Sequence, residues 1–132
     1  MKIVLETEKY VVRVYPEDGI VAHQMYGFVE GEDFKTMMMA GANAYTEYGC
    51  SKRLSDDSKN ALFNKEDIAW VESNWEPIIL KAGWKYWAIV TPEEVFGKMT
   101  MRGIVRRYTE KGVIVEMFND YDAALEWLTK QN

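Results

Sequence analysis

The sequence predicts a single α/β domain over residues 1–132, with a mixed, mostly parallel sheet of about five to six strands flanked by about four helices. Two observations predict this class. Three strand-like segments separated by turn signals open the chain and favour an antiparallel meander. Farther along, segments with apolar residues at helical spacing alternate with short apolar segments. This alternation implies right-handed crossovers between parallel strands, which makes the sheet mixed.

The opening strands are predicted from β-branched and aromatic residues. Lys2 to Glu6 is a short apolar run, and Tyr10 to Tyr15 is rich in residues that favour strands. Pro16 to Gly19 predicts a turn, because proline presets φ and glycine tolerates positive φ. The segment from Ile20 to Tyr26 then resumes a strand.

The first two helices are predicted from apolar spacing and from capping residues. Asp33 to Tyr48 has one apolar face, and Gly49 ends the pattern. A brief strand at about Lys52 to Ser55 follows. Asn64 is predicted to cap the second helix, with Asp67 placed where its carboxylate can reach back to the cap.

A proline and two tryptophans shape the expectation for the middle of the chain. Pro77 lies inside the apolar pattern of the second helix, so we expect a kink or an early end there. A strand over residues 84–90 comes next. Trp84 and Trp87 are separated by an odd number of residues, so alternation along that strand places their rings on opposite faces of the sheet.

The last third of the chain predicts helix, strand and helix. Thr91 to Glu94 combines a capping threonine, a proline at the first helical position and a glutamate three residues after the cap. Gly103 is a candidate break in the helix that follows. The last strand is predicted from Val113 to Phe118, and Asn119 or Asp120 is expected to cap the final helix.

Composition and charge argue against several classes of protein. The net charge of −5 disfavours nucleic acid as the main partner. The single cysteine, Cys50, can form no intrachain disulfide. No stretch approaches the roughly 20 apolar residues of a membrane span, and the N-terminal apolar run is too short for a signal peptide. We therefore expect a cytoplasmic protein with no metal, no cofactor and no membrane span.

Two stretches resemble a known family. RLSDDSKNALFNKEDIAWVESNWEPIILKAGWKYWAIVTPEEVFGKM and the closing FNDYDAALEWL resemble the STAS/SpoIIAA-like proteins, which are small bacterial and archaeal domains. The resemblance covers residues 10 to 130. It rests on an acidic strand end, an aromatic helix and strand pattern, and a Thr-Pro-Glu helix start. It implies a STAS-like α/β fold and no particular reaction.

The resemblance also implies a candidate for phosphorylation. In the phosphoregulated members of that superfamily, a serine or threonine follows an aspartate at a strand end, and a kinase-like partner phosphorylates it to disrupt binding. By position, Asp57 and Ser58 match that pair most closely. This chain continues with Lys59 and Asn60 where the family has a serine or threonine and a glycine, and its helix begins only near Asn64.

The strand-end loop carries the candidate partner- or ligand-binding residues Asp56, Asp57, Ser58 and Asn60. Open α/β sheets place ligands at the carboxyl ends of their strands. Neighbours on a strand point to opposite faces, so the two aspartates are not expected to form a facing pair. Phosphate on Ser58 would add about −1.5 to −2 charges and release a partner. Alternatively, Asp56 and Ser58 order the loop through Asx turns.

Two potentially reactive side chains are predicted to be unreactive. His23, the only histidine, lies in a strand without a serine or cysteine motif around it, so we expect a surface or paired histidine rather than a catalytic one. Cys50 follows a helix end, where the helix dipole would raise the pKa of its thiol. A cysteine nucleophile is therefore not predicted.

Two further features are candidate contact surfaces. Met37 and Met38 fit the apolar face of the first helix, whereas Met39 does not and is predicted to touch a partner. A basic stripe recurs every four residues on the next-to-last helix, and it could meet an acidic partner or anionic lipid head groups. The stripe consists of Lys98, Arg102 and Arg106.

The favoured function is a non-catalytic protein-interaction or regulatory module whose surface joins the Asp56–Asn60 loop, the first turn of the next helix and Met39. A protein partner is expected, and a homodimer stays open. Two alternatives remain. A small apolar or lipid-like ligand could bind between sheet and helices, in a closed pocket of roughly several hundred Å³. A cryptic enzyme would bring His23, Asp56 or Asp57, and Tyr45 within hydrogen-bond reach.

Overall fold

The computed structural model describes residues 1–60, 63–91 and 95–132, with side chains left undescribed at 95–98 and 100. Within these residues, six strands form one sheet in the order β1-β2-β3-β4-β5-β6. The strands are β1 (Lys2–Glu6), β2 (Tyr10–Tyr15), β3 (Ile20–Met25), β4 (Lys52–Asp56), β5 (Tyr86–Val90) and β6 (Ile114–Phe118). The first three are antiparallel neighbours, whereas β3 to β6 run parallel. The predicted mixed, mostly parallel α/β sheet is confirmed.

The helices connect the parallel strands in the predicted order. They are α1 (Gly31–Glu47), α2 (Lys65–Trp70), a π-helical turn (Val71–Trp75), α3 (Glu76–Lys81), α4 (Val95–Glu110) and α5 (Tyr121–Thr129). Because α2, the π-helical turn and α3 follow one another without a gap, they form one connection between β4 and β5. In the part of the chain that the structure describes, no helix combines the length and the apolar character needed to cross a bilayer.

The sequence predicts a kink or an early helix end at Pro77. In the structure, a π-helical turn ends just before this proline and a new helix, α3, begins at Glu76. Pro77 stands at the start of α3, directly after the register change of the π-helical turn. Proline has no N–H to donate, so a new helical start is where it costs least. Asn64 caps α2 as predicted, by accepting a hydrogen bond from the Asp67 N–H at 2.8 Å. The Asp67 carboxylate does not reach back to the cap; it accepts the Gly31 N–H at 3.0 Å and so joins α2 to α1.

The prediction that Trp84 and Trp87 face opposite sides is wrong. β5 begins only at Tyr86, and Trp84 precedes it, directly after Gly83, whose φ is 98°. Strand alternation therefore does not extend to Trp84. Its ring packs against the Trp87 ring with centroids 5.3 Å apart, so both rings belong to one side of the sheet.

The helix boundaries of the last third are mostly as expected. α4 is continuous from Val95 to Glu110, so Gly103 does not break it. Asp120, rather than Asn119, caps α5 by accepting the Ala123 N–H at 2.8 Å. The predicted capping motif at Thr91 to Glu94 falls largely on residues 92–94, which lie outside the described residues.

The two faces of the sheet bury separate apolar clusters. The larger cluster lies under α1 to α4 and includes Val12, Val21, Met37, Tyr45, Trp75, Trp84, Trp87, Ile89, Met101 and Tyr108. The smaller cluster lies under α5 and consists of Ile20, Ala22, Leu54, Tyr86, Ala88, Val90, Ala124 and Leu128. Neighbouring residues of a strand thus enter different cores, as the alternation of side chains requires.

Candidate functional site

A buried arginine lies in the middle of the sheet. Arg53 is the second residue of β4, and its side chain enters the larger core while Leu54 enters the smaller one. The side chain is almost entirely covered, with 7% of the residue exposed. A buried charge is costly unless other groups compensate for the lost hydration. The surroundings of Arg53 therefore have to provide that compensation.

Three aromatic rings surround this guanidinium. Its central carbon lies 4.6, 5.2 and 5.6 Å from the ring centroids of Trp75, Trp87 and Trp84. The negative faces of indole rings attract a cation at such distances. The rings also hold one another, because Trp84 packs against both Trp75 and Trp87 with centroids 5.3 Å apart. The arginine thus sits in a preformed aromatic cage.

His23 and Asp57 form a chain of polar contacts that begins at Arg53. Nη2 of Arg53 lies 3.3 Å from Nδ1 of His23, and Nε2 of His23 lies 3.0 Å from Oδ1 of Asp57. A guanidinium can only donate, so Nδ1 accepts the first bond and Nε2–H donates the second. All three side chains are buried. The imidazole therefore links the buried cation to the buried carboxylate.

Burial changes the pKa of the Arg53 guanidinium. It lowers the pKa of Arg53 to about 10, against the opposing attraction of Asp57. The guanidinium still carries its charge at neutral pH. Its Nη2 also lies 3.5 Å from the sulfur of Met38. Within the described residues, Nε and Nη1 have no hydrogen-bond acceptor, and Arg53 also lines a cavity.

A cavity of about 70 Å³ opens beside the arginine, between the sheet and helices α1 to α4. Its apolar wall includes Phe34, Phe63, Ile68, Val71, Met101 and Ile104. Among the described residues, the charged groups that line it are Arg53, Asp57, Glu72 and Arg107. A single water needs roughly 10–15 Å³ of cavity volume, so the space is large enough for water or one small molecule.

One side of the cavity is stiffened by ion pairs between α3 and α4. Glu76 is buried, and its carboxylate lies 2.9 Å from Nη2 of Arg107 and 3.0 Å from Nζ of Lys111. Burial alone would raise the pKa of Glu76, but the hydrogen bonds from Lys111 and Arg107 outweigh it and lower the pKa. Arg107 also lies 3.6 Å from Glu72, which completes a charge-balanced cluster.

A second, much smaller cavity of about 10 Å³ lies on the other side of Arg53. It shares His23, Met38, Arg53 and Trp75 with the larger cavity, so the two adjoin. The hydroxyl of Tyr45 lines the small cavity and has no hydrogen-bond partner among the described residues. Burial raises the pKa of this phenol, so it remains a donor.

The two predicted loop aspartates do face opposite ways. Asp56 accepts hydrogen bonds from Gln24 Nε2 at 3.0 Å and from the Ser58 N–H at 3.2 Å, whereas Asp57 bonds to His23. The predicted Asx turn is therefore confirmed. Ser58 is half-buried and donates its hydroxyl to Asp56 at 2.6 Å. Only Asp57 of this pair lines the larger cavity.

The remaining predicted site residues are dispersed. Asn60 is fully buried, with Nδ2 at 3.6 Å from the sulfur of Met25 and with no described donor to its Oδ1. Met37 and Met38 are buried as predicted, whereas Met39 is half-buried and lines a shallow depression formed by α1 alone. Met39 thus lines a different depression from the cavity that Asp57 lines.

The predicted basic stripe is described only in part. Arg102 and Arg106 are exposed on the unbroken helix α4, and the side chain of Lys98 lies outside the described residues. Cys50 is buried, and this burial raises the pKa of its thiol to about 11. The expected direction is confirmed, although burial rather than the helix dipole is the cause. Across the described ranges, no cluster of histidine, cysteine or acidic side chains could hold a metal.

The arrangement predicted for a cryptic enzyme forms only in part. His23 and Asp57 meet, but Asp56 bonds to other residues and the Tyr45 hydroxyl bonds to none that the structure describes. Both imidazole nitrogens of His23 are engaged, so neither is available to take a substrate proton. The expectation that His23 is paired is confirmed.

Sequence reasoning missed Arg53 and its tryptophan cage. The available signal was an arginine within a predicted strand, because a charged side chain that a strand directs into a core must find buried partners. Comparison of the chain with protein-family models, with curated proteins and with solved structures gave no match.

Proposed function

We propose that this protein binds a small, largely apolar molecule in the cavity beside Arg53. One observation carries the proposal. The cavity joins an apolar wall to a buried guanidinium whose Nε and Nη1 have no acceptor among the described residues. Binding sites for small molecules commonly combine apolar walls with a few well-placed polar groups. A purely structural arginine would be expected to use all its donors within the fold.

The size of the cavity restricts the ligand. Its volume of about 70 Å³ is well below the several hundred Å³ expected of a lipid-binding pocket. A molecule with a single ring fits this volume better than a fatty acyl chain does. The proposal therefore keeps the small apolar ligand predicted from the sequence and sets aside the lipid-like one.

The test is a titration with single-ring compounds, followed by NMR. Benzene, toluene and cyclohexanone are added to isotope-labelled protein, and the indole N–H signals of Trp75 and Trp87 and the methyl signals of Ile68 are recorded. We expect saturable shifts at these positions. Ile104→Trp, which fills the cavity, should remove the shifts. The matched control Ile114→Trp adds the same bulk at the exposed β6 edge and should leave them unchanged.

Two results would refute ligand binding in the cavity. One is a protein whose signals respond to none of the three compounds. The other is a response of equal size in Ile104→Trp and in wild-type protein, which would place the binding elsewhere.

A second candidate function, the protein-interaction module predicted from the sequence, is favoured by a separate observation. Tyr26 and Phe28 are 47% and 52% exposed. They follow β3, and Ser58 and Lys59 follow β4. Because β3 and β4 are parallel, both segments lie at the same edge of the sheet. Exposed aromatic residues are typical anchors of protein interfaces.

The partner hypothesis is tested by affinity capture from native cells. Phe28→Ala should reduce recovery of a partner, and Ser58→Asp should do so too if phosphate on this serine regulates binding. Lys81→Ala, at an exposed position on α3, is the control. Unchanged capture by both variants, with no phosphate found on Ser58, would end the regulatory hypothesis.

A further inference from the structure

From the charges and donors at the cavity, and resting on the proposed function above, we infer that the ligand is uncharged and carries a hydrogen-bond acceptor, such as a ketone oxygen, that binds Arg53. The inference narrows the ligand from a small apolar molecule to a small neutral carbonyl compound or one of similar acceptor chemistry. The charges of the described residues that line the cavity balance, which disfavours an ionic ligand, and the Arg53 donors that lack a described acceptor favour a ligand that carries one.

The charge balance concerns the side chains that line the cavity. Among the described residues of the lining, Arg53 and Arg107 contribute two positive charges, while Asp57 and Glu72 contribute two negative charges. Arg53 is linked to Asp57 through His23, and Arg107 lies 3.6 Å from Glu72. Each cation is thus already matched by a carboxylate. An ionic ligand would lose its hydration in this space without gaining an unmatched counter-charge.

Arg53 has N–H donors that no described residue uses. Its Nη2 is occupied by His23 and Met38, whereas Nε and Nη1 have no acceptor among the described residues. A hydrocarbon in the cavity would displace water from these donors and leave them unsatisfied. A ligand with a carbonyl oxygen would replace that water with a charge-assisted hydrogen bond. The aromatic cage holds the guanidinium still, so the donors are oriented before the ligand arrives.

The decisive experiment compares three ligands on wild-type protein. Cyclohexanone and methylenecyclohexane have nearly the same shape, but only the ketone offers an acceptor. Cyclopentanecarboxylate has similar size and carries a negative charge. Affinities are measured at pH 7 by NMR titration. We expect the ketone to bind about tenfold to a hundredfold more tightly than the alkene. The carboxylate should bind most weakly of the three.

Two variants test whether Arg53 causes the preference for the ketone over the alkene. In Arg53→Met combined with Asp57→Asn, the buried cation and its carboxylate are both removed, so that neither is left alone. The preference for the ketone should fall to within about threefold, while the alkene still binds. Arg13→Met is the matched control, because Arg13 lies on the opposite face of the sheet and its loss should leave the preference intact. Circular dichroism checks that each variant is folded.

Each outcome bears on one of the two proposals. If the alkene binds as tightly as the ketone, the acceptor inference is wrong while the proposed function survives. If the carboxylate binds most tightly, the charge-balance argument is wrong. If none of the three ligands binds, the proposed function fails and the inference fails with it. The comparison on wild-type protein decides the matter even if the double variant does not fold.

Discussion

Two polar chains cross the sheet, one on each face, and they are built from similar parts. On the face under α1 to α4, Arg53 contacts His23, and His23 contacts Asp57. On the face under α5, Arg13 Nη1 donates to Gln24 at 3.0 Å, and Gln24 donates to Asp56 at 3.0 Å. Each chain joins an arginine to an aspartate through one side chain of β3, His23 in the first and Gln24 in the second.

The two arginines nevertheless differ in their electrostatics. Burial lowers the pKa of Arg53 to about 10. Burial also acts to lower the pKa of Arg13, but its interactions with Tyr121 and Tyr15 outweigh this, and the pKa is raised. Arg13 is half-buried, with its guanidinium 5.4 Å from the centroid of the Tyr121 ring. The contacts of Arg13 thus join β2, β3 and α5 near the surface of the protein. The contacts of Arg53 instead hold a buried cation beside a cavity.

Packing differs between these two faces, and the cavity beside Arg53 lies on the face under α1 to α4. Under α5, the central positions of the sheet are small or aliphatic, such as Ala22, Leu54 and Ala88, and the helix presents Ala124 and Leu128. Small residues let the helix approach closely. On the other face, large indole rings surround a charged side chain, and such shapes do not fill space evenly. Among the described residues, the two cavities beside Arg53 are lined by none from α5.

Removing Arg53 should have the largest effect on stability. Arg53→Met leaves the Asp57 carboxylate buried without its cation, which we expect to cost about 3–5 kcal/mol in the free energy of unfolding. Urea denaturation followed by tryptophan fluorescence measures this. Adding Asp57→Asn should recover part of the loss, because the pair acts as a unit. Strictly additive losses in the double variant would show that the two residues are not coupled.

The ion pairs beside the cavity should have an intermediate and pH-dependent effect. Glu76→Gln should cost about 2 kcal/mol at pH 7, because charge-assisted hydrogen bonds to a buried carboxylate are lost. The pKa of Glu76 is lowered from its ordinary 4.5, so its stabilising effect is complete above that pH and is lost as the pH falls through the lowered value.

The difference between wild type and Glu76→Gln should therefore shrink as the pH falls below about 4.5. Thermal unfolding at a series of pH values measures this trend. Glu126→Gln is the control, because its carboxylate pairs with Lys130 only at the exposed end of the chain. A difference that stays constant down to strongly acidic pH would contradict the role given to Glu76.

The equivalent substitution on the other face should have a smaller effect. Arg13→Met removes a half-buried cation that water can partly replace, so we expect a loss of about 1 kcal/mol or less. The same urea titration measures it. A loss as large as that of Arg53→Met would mean that the two chains are energetically alike, and the contrast drawn between them would not hold.

The smallest effect is expected at the end of the Arg13 chain. Ser58→Ala removes the 2.6 Å hydrogen bond to Asp56 but keeps the backbone bond of the Asx turn, so we expect a loss of about 0.5–1 kcal/mol. Ligand affinity in the cavity should not change, because only Asp57 of the loop lines it. A change in affinity of more than about threefold would connect this loop to the cavity after all.

Much of the fold could be predicted from the sequence because its signals are local. Turn residues, apolar spacing and capping side chains act within a few positions of one another, and they predicted the order of strands and helices. The errors arose where a local rule was extended too far. Strand alternation does not hold for Trp84 because β5 begins at Tyr86, and Gly103, a candidate break, lies within the continuous helix α4.

The candidate site could be predicted only in part. Strand alternation predicts opposite orientations for Asp56 and Asp57, and the hydrogen bonds of the two carboxylates agree with it. Arg53 and His23 are 30 residues apart in the chain, and their contact depends on β3 lying beside β4 in one particular register. No pattern in either segment alone specifies that register.

By itself, the sequence determined the α/β class, the order of the elements and the alternation that sends neighbouring residues of β4 into two cores. Only the tertiary structure decided that three tryptophans from two segments enclose one arginine, that a cavity remains beside it, and that Met39 lines a different depression. The physical reason is one of range. Periodicity and capping act between near neighbours, whereas cages and cavities depend on how distant segments fill space together.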